Sequence, residues 1–130
     1  MPTSYTHRNL DEVQDSAEKF GFAETQEARF ASADLETEQT GFSFHRIKAG
    51  KRQAFGHRHD QAEEVYFVVS GSGRMKLDDD IIELAPRDAI RVAPGVIRAF
   101  EGGGDGLEIL VFGPHHEGDT GELIQGWWAD

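Results

Sequence analysis

From residue 27 onward the chain alternates apolar and polar positions with a period of two, in short runs punctuated by glycine, proline and aspartate. The stretch before it has a different rhythm. Leu10, Val13, Ala17 and Phe20 recur at helical spacing, which predicts one helix over residues 9–20. Asn9 is placed to cap it, Glu12 to complete a capping box, and Gly21 to end it. This helix is expected to brace the strands that follow.

The first strand is predicted over Glu27 to Ala31. Residues 41–48 alternate more regularly, with Phe42, Phe44 and Arg46 on one face and Ser43, His45 and Ile47 on the other. Residues 49–53 should turn. Glu64 to Ser70, rich in β-branched and aromatic side chains, is the strongest strand. Gly71-Ser72-Gly73 reads as a glycine turn before a strand from Arg74 to Leu77. An aspartate turn at 78–80 leads to strands at Ile81–Leu84 and Ala89–Val92. After the Pro94-Gly95 turn, strands at Val96–Glu101 and Leu107–Phe112 flank a glycine-rich loop, residues 102–106. Strands this short and close together predict an all-β barrel or sandwich rather than alternating strands and helices.

A length of 130 residues suits one domain with one core. Within it, residues 1–38 are expected to supply the helix and a leading strand, 39–113 the barrel, and 114–130 a tail. The tail ends near Trp127 and Trp128, two indoles expected to pack on the barrel or on a second subunit. The absence of cysteine removes disulfides, thiolate metal sites and cysteine nucleophiles. A formal charge of −11 opposes binding to nucleic acid or to an anionic membrane. The polar N-terminus lacks the apolar stretch of a secretory signal, so a cytoplasmic address is expected.

The candidate chemistry lies in His57-Arg58-His59-Asp60-Gln61-Ala62-Glu63-Glu64. In an extended chain His57 and His59 project from one face, and Glu64 opens the strongest strand. Two imidazoles and a carboxylate suit a divalent ion such as Zn, Fe, Ni, Mn or Cu. Glu63 has the opposite strand parity and is expected outside.

Residues 57–71, HRHDQAEEVYFVVSG, resemble the first motif of the cupin superfamily: His-x-His, three or four residues, Glu, six residues, Gly. His57, His59, Glu64 and Gly71 stand at that spacing, while Gly50 is one residue further from His57 than the motif's leading glycine. Residues 87–102 occupy the place of the second motif and keep Pro94 and Gly95. Arg87, Ala93 and Gly102 depart from it, and Arg98 stands where the family has a histidine ligand. The resemblance spans roughly residues 40–112. It implies a small jelly-roll β-barrel whose interior His57, His59 and Glu64 hold a metal, and pairing into a homodimer.

Arg98 changes the metal argument, because a guanidinium stays protonated and cannot ligate a cation. Two pockets follow. In one, His57, His59 and Glu64 bind a metal and Arg98 orients a small anionic ligand, with dioxygenation, isomerisation or decarboxylation as the reaction. In the other, no metal binds and Arg98 replaces its charge beside Glu64, leaving a barrel that binds a carboxylate-bearing molecule. A satisfied polar network with no ligand is the remaining possibility. Tyr66 shares the face of Glu64 and is expected to offer its hydroxyl to a ligand. Phe100 and Val96 should form an apolar wall, and His45 could add a ligand contact. His115 and His116 are expected in solvent. No serine stands beside an evident base, so nucleophilic catalysis has little support.

Overall fold

In the computed structural model the described residues are 4–114 and 121–128. The expected N-terminal helix is two short pieces: a 3-10 turn at Leu10–Glu12 and α1 at Ser16–Lys19. Asn9 caps the first, as predicted, through its side chain on the Asp11 amide. The helix breaks between them because tertiary partners claim its backbone. Asp15 Oδ1 accepts from Ala17 N, capping α1, and from Ala28 N on the neighbouring strand, each at 3.0 Å. Arg29 Nη1 donates to the Val13 carbonyl at 2.5 Å, and Val13 is extended. A second short helix, α2 at Ser32–Leu35, was not expected.

Among the described residues eight strands follow: β1 Gln26–Phe30, β2 Thr40–Ile47, β3 Phe55–Arg58, β4 Glu64–Leu77, β5 Asp80–Leu84, β6 Ala89–Val92, β7 Arg98–Pro114 and β8 Glu122–Gln125. They form one antiparallel sheet with the path β1-β2-β7-β3-β8, and β4 lies beside β5, β6 and β7. The all-β jelly-roll architecture expected from the sequence is the one observed. The sheet curls on itself, bringing β1 and β8, the two ends of that path, to opposite sides of an opening roofed by α1.

Two predicted turns are strand interior. Gly71-Ser72-Gly73 lies within β4, and the 102–106 loop lies within β7. The two long strands pair along most of their length, with irregularities at Val68/Ser70 and Gly71/Gly73 that bend the ribbon. Glycine is required there for close approach: a Cβ on Gly73 would meet the Glu101 carbonyl oxygen at 2.1 Å. Bending this ribbon is what wraps the sheet around a core of Ile47, Tyr66, Val68, Met75, Phe100 and Ile109.

The described part of the tail, residues 121–128, packs on its own barrel. β8 pairs with β3 from Phe55↔Gln125 to Arg58↔Glu122. Lys76 Nζ sits 4.4 Å from the Trp127 ring centroid, and the guanidinium groups of Arg52 and Arg74 lie 4.9 and 5.4 Å from that of Trp128. His115 and His116 lie outside the described residues. No helix among the described residues is long and apolar enough to cross a membrane.

Candidate metal centre and its cavity

Three strands meet at the site. β3 carries His57, with His59 just beyond its end, and β4 begins at Glu64. β7 enters beside them with Arg98, which pairs in register with His57. Alternation then aims Glu64, Tyr66 and Val68 inward from β4, and Ser43, His45 and Ile47 inward from β2. Glu63 faces out, as predicted, and pairs with Arg91 at 3.3 Å.

The structure brings His57, His59 and Glu64 together, with one ligand atom from each lying within 4.8 Å of the others. His57 Nε2 is 3.8 Å from Glu64 Oε1, and His59 Nε2 is 3.6 Å from Oε2. The two imidazoles stand edge to face with centroids 5.6 Å apart. Metal–ligand bonds of about 2.0–2.2 Å in a tetrahedral site put ligand atoms about 3.4 Å apart. The His–Glu separations are already near that value, so the donor set fits a divalent ion after a small closure of side chains.

Glu64 is held firmly from behind. Tyr66 donates its hydroxyl to Oε1 at 2.7 Å, and Arg98 Nη2 donates to the same oxygen at 3.1 Å. Arg98 also donates through Nε to the Tyr66 hydroxyl at 3.0 Å and through Nη1 to the Val96 carbonyl at 2.5 Å. Hydrogen bonds from described residues thus fall on Oε1, and Oε2 is turned toward His59. Burial opposes ionisation of Glu64, but the His57 imidazole, the Tyr66 hydroxyl and the charge potential of His59 and His57 outweigh it and bring the carboxyl down to about 2. Burial and the adjacent Glu64 push the Tyr66 phenol well above its ordinary value, so it stays a neutral donor.

The site opens on an inner cavity of about 160 Å³. His57, His59, Glu64, Tyr66 and Phe100 line it, as do His45 and Ser43 from β2. Arg98 does not. Its side chain has no solvent exposure and sits behind Glu64 and Tyr66, so the expected direct contact between this arginine and a ligand is replaced by a contact with the carboxylate. Val96, expected in the apolar wall, packs instead on the core and gives Arg98 its carbonyl. His45 bonds Ser43 Oγ through Nε2 at 2.9 Å, while its Nδ1 is shielded from water with no partner among the described residues. Burial first, then the neighbouring His57, lowers His45 to about 4, so it is neutral at ordinary pH. Gln53, in the segment predicted only to turn, is a further cavity residue. Its side-chain oxygen accepts the Phe100 amide at 3.0 Å. Nothing in the local sequence marked Gln53; the pairing that places it is long-range.

The chain is thus a small curled antiparallel β-barrel in which two histidines and a glutamate converge as a donor set that could hold a metal ion. The cupin-domain family profile matches residues 43–112, and the chain belongs to the cupin family. Solved structures repeat the fold. A cupin protein from Bacteroides fragilis is 21% identical, with a TM-score of 0.71 over 99% of each chain. The polyketide cyclase RemF from Streptomyces resistomycificus is 16% identical, with a TM-score of 0.72 over 96% of this chain and 87% of its own. A cupin-superfamily sugar phosphate isomerase from Silicibacter pomeroyi is 13% identical, with a TM-score of 0.71 over 92% of both chains. A search among curated proteins finds no match.

Proposed function

We propose that this cupin binds one divalent metal ion through His57, His59 and Glu64 and presents it to an anionic oxygen group of a small organic ligand in the inner cavity. The observation that carries this reading is the convergence of three ligand atoms within 4.8 Å at the wall of that cavity. Zn, Fe, Ni, Mn and Cu all accept such a donor set. When bound, the ion supplies Lewis acidity or oxygen activation.

The chain's own residues do the rest. Glu64 neutralises part of the ion's charge and is kept in one orientation by Tyr66 and Arg98. Phe100, Ile109 and Val111 present an apolar wall that restricts water. His45, which lines the cavity and has Nδ1 unbonded among the described residues, is the residue we assign to a hydrogen bond with a ligand. The relatives named as a cyclase and an isomerase share the fold at low identity, which supports no particular reaction here. Absence of cysteine means the fold needs no oxidising compartment, in keeping with a cytoplasmic address.

The Arg98–Glu64 pair favours one other reading, a metal-free pocket in which the guanidinium already neutralises the carboxylate. Elemental analysis after loading with each metal separates the two. Metal binding near one equivalent, reduced at least 100-fold in affinity by His57→Ala or His59→Ala and unaffected by His45→Ala, supports the metal centre. Absence of uptake from every metal tried, with a folded protein that still binds small carboxylates, establishes the alternative.

A further inference from the structure

The inner cavity is small for an organic ligand of ordinary size. Its volume of about 160 Å³ equals that of roughly five liquid waters, whereas ligand pockets typically run from about 300 to 1,000 Å³. A second chamber of about 620 Å³ lies next to it, in the opening between β1 and β8. The two share Phe30 and His45 in their walls. The outer chamber is mostly apolar, formed by Phe20, Phe22, Phe30, Phe55 and Leu123. Three of these large side chains are well exposed: Phe20 at 67%, Phe30 at 56% and Leu123 at 57%. They form one patch facing one hollow, which is unlike singly scattered surface apolar residues. At the partition stands His45, whose shielded Nδ1 has no hydrogen-bond partner among the described residues.

We propose that the chain binds an amphipathic organic molecule lengthwise: a compact oxygen-donor head at His57, His59 and Glu64, an apolar body in the β1–β8 chamber, and His45 Nδ1 bonded to the head at the junction. The proposal rests on the metal-centre reading for the head and adds the class of the body. Continuity argues for this occupant. The apolar hollow adjoins a polar cavity across a shared wall, and His45 in that wall carries a ring nitrogen with no partner among the described residues.

Isothermal titration of zinc-loaded protein with acetohydroxamate and octanohydroxamate tests it, since both carry the same bidentate oxygen head. Each buried methylene is worth about fourfold in affinity, so even partial burial of six more gives the longer probe an advantage of about 100-fold or greater. Leu123→Asp and Phe20→Asp, at exposed positions that tolerate polarity, should erase that advantage and leave acetohydroxamate unchanged. His45→Leu should weaken both probes by the same factor. Equal affinity of the two probes overturns the chamber's role while leaving the metal centre intact. Failure of both to bind protein that has taken up zinc overturns the lengthwise pose. A length dependence unchanged by EDTA, or protein that takes up no zinc, overturns the metal-centre reading and the pose of the head with it. A dimer dissociated by Leu123→Asp, with no length dependence, makes the chamber an interface between copies and overturns the proposal.

Discussion

Arg98 donates through Nη2 to Glu64 Oε1 at 3.1 Å from a position with no solvent exposure, and the family's fourth metal ligand would occupy its place in the sequence. The pair has two consequences. It gives a buried carboxylate a permanent counter-charge, and it sets a fixed positive charge behind the face of Glu64 that a cation would approach. Burying an ion pair is costly in desolvation, but once buried, removing one partner costs more than the pair gains.

Replacing the guanidinium with an apolar side chain of similar length should therefore destabilise the fold strongly. Arg98→Met is expected to lower unfolding free energy by about 3–5 kcal/mol in urea titrations, because Glu64 and Tyr66 lose their shared partner. The double variant Arg98→Met, Glu64→Gln should recover much of this loss, as the cycle then contains no uncompensated charge. Additive losses from the two changes would show that the pair is not coupled.

Metal affinity should move the other way on Arg98→His. The substitution removes a fixed positive charge near the ion and restores an imidazole to the second-motif position. Relief of the repulsion between a fixed charge and a nearby divalent ion should raise affinity at least about 10-fold. Competition with a chromophoric chelator measures it. Unchanged affinity in a folded variant would mean that the guanidinium does not act on the ion.

Tyr66→Phe removes one of the two donors on Oε1 and changes little else in volume. Outer-shell hydrogen bonds of this kind typically matter by about 10- to 100-fold in metal affinity. The variant is expected to bind metal about tenfold more weakly and to lose about 2–3 kcal/mol of stability, because the buried Arg98 Nε also loses its acceptor. The same chelator competition and a urea titration report the two effects separately.

Stability of the metal-free protein should fall as the solution is acidified, in two windows. His45 is held neutral, with its value lowered from 6.5 to about 4, so the unfolded chain takes up a proton before the folded one does. Stability is lost as pH falls from 6.5 toward 4. Glu64 is held ionised, lowered from 4.5 to about 2, so a further loss runs from pH 4.5 toward 2. Thermal melts in EDTA across this range test the sign, and His45→Leu should flatten the upper window alone. A wild-type melting temperature that rises between pH 6.5 and 4 would contradict it.

The outer face of the sheet predicts self-association. Phe42, Phe112 and Val65 form one cross-strand row, and Phe44, Leu110 and Phe67 the next. Phe112 is 38% exposed and Val65 39%. The bordering charges of Arg46, Glu27 and Glu108 neutralise one another in part. In a chain of charge −11, two copies meet with least repulsion through such a face. Light scattering should give twice the 14.4 kDa chain mass for the wild type and the single mass for Phe112→Glu. A wild type that scatters as a monomer at micromolar concentration would refute the dimer.

Local chemistry in the sequence was enough for the strand alternation, the inward face of β2 and the His57–His59–Glu64 grouping. Each depends on residue parity or on a spacing of a few positions, which an extended backbone converts directly into direction. Tertiary structure alone decided the rest. Helical spacing at 9–20 yielded to Asp15 and Arg29, whose bonds tie that segment to β1. Glycines that resembled a turn at 71–73 serve a close crossing of β4 and β7, and the same residue type satisfies either demand. The direction of Arg98 was beyond local reading, because a guanidinium is buried only where partners from another strand accept its hydrogens. Here Glu64 and Tyr66, more than thirty positions away on β4, do so. The chamber beside His45 likewise exists only because the curled sheet brings β1 and β8 to the same opening, which no single segment encodes.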